Sequence, residues 1–368
     1  MSIDEEIQEH AASVQTTSYS MSVSELAAMY KANELTLHPE FQRFFRWTQE
    51  QKSRFIESLL LGIPIPPVFV SERPDAKWDV IDGLQRISTI LELMGDLRTE
   101  EGTFLPPLVL TRTHYLPDLE GQRWPNCSTE NVLSEAAQIR IKRARIDINI
   151  VRSTSDEDVK YEVFQRLNTG GSLATDQEVR NCLLVMTNRD YFKWIKLLAD
   201  HEGFNNSLSL TDRSIEEAFD MELVIRFLVF ISKTPVELQR IDELGSYLSY
   251  QSVAQAKDAN FQYNKFESSF KRTFNFLSEL LQEDSFRRYD SGKHRYVGPM
   301  LVSIFEVVAI GLGYHILNGA ELPSPELFKE KHKTLWPELG PKPFVGSGIR
   351  ASTRIPQTIE FGREWIKR

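Results

Sequence analysis

The spacing of apolar residues changes along the chain, and the changes mark out its elements. In Lys77–Leu93, KWDVIDGLQRISTILEL, two periods meet. Trp78, Val80 and Ile81 form a short apolar run with β-branched members, which predicts a buried strand over Lys77–Ile81. Asp82-Gly83 is turn chemistry, because Asp bonds its own backbone and Gly accepts a positive φ. From Leu84 the period becomes helical: Ile87, Ile90, Leu91 and Met94 share a face, so a helix runs from about Leu84 to near Gly95. Gln85 and Arg86 fall in its first turn.

The same reading extends outward. Ser22–Lys31 predicts an amphipathic helix capped by Ser24, with Val23, Leu26, Ala27 and Tyr30 on one face, and Glu34–Leu37 alternates as a strand does. Thr48 with Gln51 makes a capping box for a helix whose inner face is Phe55, Ile56, Leu59 and Leu60. Gly62 and the prolines at 64, 66 and 67 end it, and Val68–Val70 is a strand. Gly95–Ser134 carries a weak pattern in which Tyr115–Trp124 reads equally as hairpin or loop. Ile139–Val151 alternates with a phase slip after Ile141, a helix end or a bulge, so the firm strand is Ala144–Val151. Asp156–Leu167 reads as a helix ending at Asn168-Thr169-Gly170-Gly171, and Thr175 with Glu178 caps another.

After Asn188 the pattern is helical only, clearest in Phe219–Ile231, Phe261–Leu281, Val297–Asn318 and Ile355–Lys367. The expected class is α+β: a small mixed sheet with helices, followed by an all-α domain. Its divisions fall at a polar, mobile N-terminus (1–20), an α+β domain (21–187) and a helical domain (188–368).

Composition narrows the function. Hydrophobic residues at 41% and charged ones at 26% are ordinary for a globular protein, and 368 residues suffice for two domains. A formal charge of −9 argues against a protein that coats nucleic acid, while leaving room for a local basic groove. With Cys127 and Cys182 alone, the chain has neither a disulfide framework nor a cysteine zinc site and reads as cytoplasmic. Met1–Gln15 lacks the apolar core of a signal peptide. Pro299–Gly313 is the most apolar run but carries Glu306 and is too short to span a bilayer, so no membrane association is expected.

The candidate chemistry centres on the Asp-Gly turn. A helix start presents N–H groups without intrahelical partners and partial positive charge, which suits a phosphate. Arg86 opposes that dipole, so it points either to an anion held jointly with the backbone amides or to a pairing with a surface carboxylate. Asp82 is a helix cap, a metal ligand or a proton acceptor. His38–Trp47 mixes Arg43 and Arg46 with four aromatics, suited to stacking a base or to a plain core connection. Asn168–Gly171 is an anion nest or a helix C-cap with its loop. Arg140, Lys142, Arg143 and Arg145 form the dense basic cluster, a nucleic-acid contact or a solvated face. Val345–Gly348 with Arg350 and Arg354 reads as a flexible basic segment or plain linker before the last helix. His201 follows Asp200 without further ligand spacing and reads as a solvated loop.

Taken together, FQRFFRW (41–47), IESLLLGIPIPPVFV (56–70), VIDGLQRISTI (80–90), HYLPDLEGQRW (114–124) and VFQRLNTGGSLATDQEVRN (163–181) resemble, in order, the GmrSD amino-terminal domain family. These are ParB/sulfiredoxin-like domains named for an Asp-Gly-Gln-Gln-Arg motif. The resemblance implies a nucleoside triphosphate-binding, NTP-hydrolysing component of prokaryotic anti-phage or modified-DNA restriction. Its motif falls on Asp82, Gly83, Gln85 and Arg86, with Leu84 where the family usually has Gln. Leu has no hydrogen-bonding side chain, so hydrolysis is in doubt if that Gln positions water and unaffected if it faces the core.

The seven histidines are scattered, without the closely spaced His, Asp and Asn of the family's nuclease half. The leading expectation is therefore a nucleotide pocket. Its ligands are Gln42, Arg43, Asp82, Gly83, Gln85, Arg86, Asn168, Thr169, Gly170 and Gly171, with Asp82 and Arg86 catalytic and Asp82 on a Mg ion. Expected partners are DNA and a separate nuclease or defence subunit. The competing expectations are a non-catalytic DNA- or protein-binding adaptor with a decayed site and, ranked last, a metal-dependent nuclease.

Overall fold

The computed structural model describes residues 2–3, 15–37, 47–99, 102–125, 130–152, 175–346 and 348–367. Backbone contacts divide the chain into two units, between Ala174 and Thr175.

The first unit is built on a five-stranded mixed sheet of β1 (Thr16–Ser22), β2 (Leu35–Thr36), β3 (Val68–Glu72), β4 (Trp78–Asp82) and β5 (Arg145–Val151), in the order β1-β5-β3-β4-β2. The β1/β5 and β3/β4 pairs are antiparallel; β5/β3 and β4/β2 are parallel. Alternate residues of the strands, Met21, Val68, Val70, Val80, Ile146, Ile148 and Ile150, enter one apolar core. Helices α1 (Val23–Lys31), α2 (Gln49–Leu61), α3 (Leu84–Met94) and α4 (Glu135–Arg143) add their apolar faces to it. Local chemistry fixes their ends. Thr48 and Gln51 form the capping box of α2, and Gly62 and Gly95 close α2 and α3 at φ +70° and +73°.

The fold is α+β as the pattern predicts, with local corrections. Thr16–Ser20 are not a mobile tail but most of β1, paired along β5. Only Met21 of β1 is buried, so this edge strand has no apolar alternation to read. Ser22, not Ser24, caps α1, its hydroxyl accepting from the Glu25 amide at 3.2 Å. The phase slip at Ile141 is a helix end, that of α4. Pro117–Leu119 is a 3₁₀ turn in an irregular segment. The helix expected over Asp156–Leu167 lies outside the described residues.

The second unit holds α5 (Asp176–Thr187), α6 (Arg189–Ala199), α7 (Glu202–Asn206), α8 (Asp212–Glu216), α9 (Phe219–Phe230), α10 (Pro235–Leu238), α11 (Leu244–Lys257), α12 (Tyr263–Leu280), α13 (Val302–Leu317), α14 (Pro325–Leu339) and α15 (Ala351–Lys367). Its centre is aromatic: the rings of Phe204, Phe227 and Phe274 surround that of Phe270 at 4.5–5.3 Å. Helix α5, which the sequence pattern joins to the first domain, makes buried bonds to α11. Arg180, fully buried, donates from Nε to Ser249 at 3.2 Å and from Nη2 to the Gly245 carbonyl at 3.1 Å.

Strands β6 (Arg288–Asp290) and β7 (Arg295–Val297) form a hairpin where helices alone are expected. Three residues per strand are too few to show alternation, and the facing Tyr289 and Tyr296 rings, 5.1 Å apart, clip it together. His201 is a cap and not a solvated loop: its Nδ1 accepts from the Phe204 amide at 3.3 Å. Among the described residues no helix is long and apolar enough to cross a membrane.

Candidate functional site

The register of β3 on β4 shifts between Phe69 and Val70. Val70 faces Val80, but Phe69 faces Asp82, which leaves Ile81 as an extra residue on β4. Such a bulge re-aims the strand end. Asp82 closes β4, Gly83 turns the chain at φ +91°, and α3 begins at Leu84. Gly83 is required twice over. Its φ is one that L side chains rarely adopt, and a Cβ there would stand 2.6 Å from Val68 Cγ2.

The start of α3 has no side-chain cap, unlike α1, α2, α4 and α5, capped by Ser22, Thr48, Ser134 and Thr175. Asp82 is therefore not the cap that its position allows. Its Oδ2 instead accepts from Arg86 Nη2 at 2.9 Å, one helical turn away. Arg86 Nη1 donates to the Pro67 carbonyl at 3.1 Å and to that of Pro66. The Arg86 side chain is 12% exposed and that of Asp82 27%. Burial lowers the pKa of Arg86 and the Asp82 charge works against that, so the cation is kept but poorly hydrated. Three bonds use three of the five N–H donors of an Arg fork.

The remaining predicted residues divide. Gln85 Oε1 accepts from the Trp47 amide at 3.4 Å, tying the chain before α2 to the start of α3. Leu84 is half-buried and packs on the apolar core, so this motif position is a packing position here. Gln42, Arg43 and Asn168–Gly171 lie outside the described residues. Arg140, Lys142 and Arg143 occupy the last turn of α4 and Arg145 opens β5; all four are exposed, and none bonds Asp82 or Arg86. Among the described residues no three His, Cys, Asp or Glu side chains gather as a metal site would have them.

Sequence reasoning missed the Pro66 and Pro67 carbonyls. Prolines after Gly62 read only as a helix stop, whereas their oxygens, facing α3, hold the Arg86 fork. The bulge at Ile81 left no signal either, because bulged residues keep the composition of the strand.

Residues 23–185 match the family model described as GmrSD restriction endonuclease, N-terminal domain. No curated protein and no solved structure matches the chain.

Proposed function

We propose that this chain, whose residues 23–185 match the GmrSD restriction endonuclease N-terminal domain, is a restriction-system component and binds the phosphates of a nucleoside triphosphate where β4 hands over to α3. The observation that carries the reading is an uncapped helix start with a half-buried arginine one turn in. The first amides of any helix lack intrahelical acceptors, and the dipole adds positive charge at that end. Two Arg86 donors, on Nε and Nη2, are uncommitted among the described residues and suit a phosphate oxygen.

Asp82 Oδ1 makes no hydrogen bond among the described residues, which fits a single contact to a Mg ion or to water. A bound Mg would supply charge neutralisation at the phosphates. Leu84, turned to the core, leaves this constellation intact, so the departure from the family motif does not by itself remove binding. DNA cleavage belongs, on this reading, to a nuclease domain or subunit outside these residues, with the nucleotide regulating it. Calorimetry with ATP, GTP, CTP and UTP, each with Mg, tests the proposal. One of the four binds the native chain, and Arg86→Ala weakens it at least about tenfold, the loss of one charge-assisted contact. Unchanged affinity in Arg86→Ala, or no binding of any of the four, overturns it.

A second reading is favoured by the bonds Arg86 already makes. With both terminal nitrogens on protein acceptors, it latches β4, α3 and the Pro66-Pro67 segment together, as an adaptor with an inherited fold requires. The two readings part in an Asp82→Asn protein. The adaptor retains full phage restriction; the nucleotide-binding component loses it.

A further inference from the structure

A groove of about 630 Å³ lies in the first unit, apart from the Asp82–Arg86 constellation. Leu60, Leu116, Leu133 and Ala137 are on its floor, and Leu61 and Tyr115, 45% and 67% exposed, are on its rim. Large apolar side chains held open to water beside an apolar groove are the usual mark of a binding surface.

The charge around it identifies the occupant. Arg140 lines the groove, and Lys142, Arg143 and Arg145 follow it on the exposed end of α4 and the start of β5. Arg140, Arg143 and Arg145 make no side-chain hydrogen bond or ion pair among the described residues. In a chain of formal charge −9, Arg140 in the lining thus belongs to an exposed run of cations along the end of α4 and the start of β5.

We infer that the groove receives a peptide segment of a partner protein, one whose few apolar anchor residues are flanked by carboxylates. A second copy of this chain is disfavoured, since a two-fold interface would set the same four cations against one another. A DNA backbone would use the cations but gains nothing from the leucine floor.

The test pans a phage-displayed library of short random peptides against the full-length chain. Enriched sequences combine two or more apolar residues with Asp or Glu flanks. By fluorescence anisotropy, the synthetic form of an enriched peptide binds about tenfold more weakly to Leu61→Asp and about fivefold more weakly to Arg140→Glu/Arg143→Glu. Replacing the peptide's carboxylates with lysines restores binding to the charge-reversed variant, which damage to the fold would not do. The inference is overturned by an absence of enrichment, by enriched sequences without carboxylates, or by affinities that neither variant changes. It is likewise overturned, in favour of DNA, by a short duplex that binds the native chain and Leu61→Asp equally but not Arg140→Glu/Arg143→Glu.

Discussion

Gly83 has the least room for change of any residue in the site. Gly83→Ala combines a left-handed backbone with a Cβ 2.6 Å from Val68 Cγ2. A loss of about 2–4 kcal/mol in urea unfolding is expected. The double variant Gly83→Ala/Val68→Ala recovers none of the backbone part, so it stays less stable than Val68→Ala alone. His332 sets a second expectation at this scale. It is buried, its Nε2–H donates to the Ser285 carbonyl at 3.0 Å, and its Nδ1 accepts from the Tyr296 hydroxyl at 3.0 Å. Burial holds the imidazole down to about 4, against an ordinary 6.5. Between those values the unfolded chain takes up a proton that the folded one refuses, so stability falls as pH drops through that window and levels off below it. At about 1.4 kcal/mol per unit the loss is roughly 3 kcal/mol. Melting temperatures of native and His332→Gln protein measured from pH 7 to 4 check it: the native curve falls with acid more steeply than that of the variant.

At the scale of elements, helix α13 shows what the chain could and could not announce. Its long apolar run predicts a buried helix, and Val302–Leu317 is one, with Glu306 fully buried in it. That carboxylate, read from sequence only as an argument against a membrane span, is held from two other helices. Arg354 Nη2 donates to it at 3.0 Å and Thr358 at 2.8 Å from α15, and Arg226 Nη1 at 3.4 Å from α9. Arg354 is thus no part of a flexible linker. Removing the carboxylate leaves the partly exposed Arg354 without its carboxylate and Arg226 with Glu222 alone, so Glu306→Ala is expected to cost about 3 kcal/mol in denaturant unfolding. Arg354→Ala, which leaves Glu306 its bonds to Arg226 and Thr358, costs less. Capping boxes and closing glycines were legible because they act within four residues. The partners of Glu306 and Arg180, the bulge at Ile81 and the edge strand β1 were not, because each depends on residues distant in sequence. For the candidate site, the Asp82-Gly83 turn and Arg86 in the first turn of α3 were likewise local and legible. The proline carbonyls that hold the fork came from an earlier strand entry.

For the whole molecule the question is where one folding unit stops and the next begins. The family match ends at residue 185, inside α5, whereas backbone contacts place all of α5 in the second unit. The side chains explain why. Val179, Leu183, Leu184 and Val185 are buried, and Arg180 holds Gly245 and Ser249 of α11. Burying several such side chains contributes on the order of 1.5–3 kcal/mol each, an appreciable part of the roughly 5–15 kcal/mol that holds a domain together. A fragment beginning at Thr175 therefore keeps a cooperative helical melt by circular dichroism. One beginning at Asn188 exposes the apolar surface that α5 covers and melts far lower, or aggregates. Equal melting of the two fragments would show that α5 is dispensable to the helical unit and belongs, as the family boundary has it, with the sheet. The expected inequality instead makes α5, the last stretch of the family match, part of the helical core, held to α11 through Arg180.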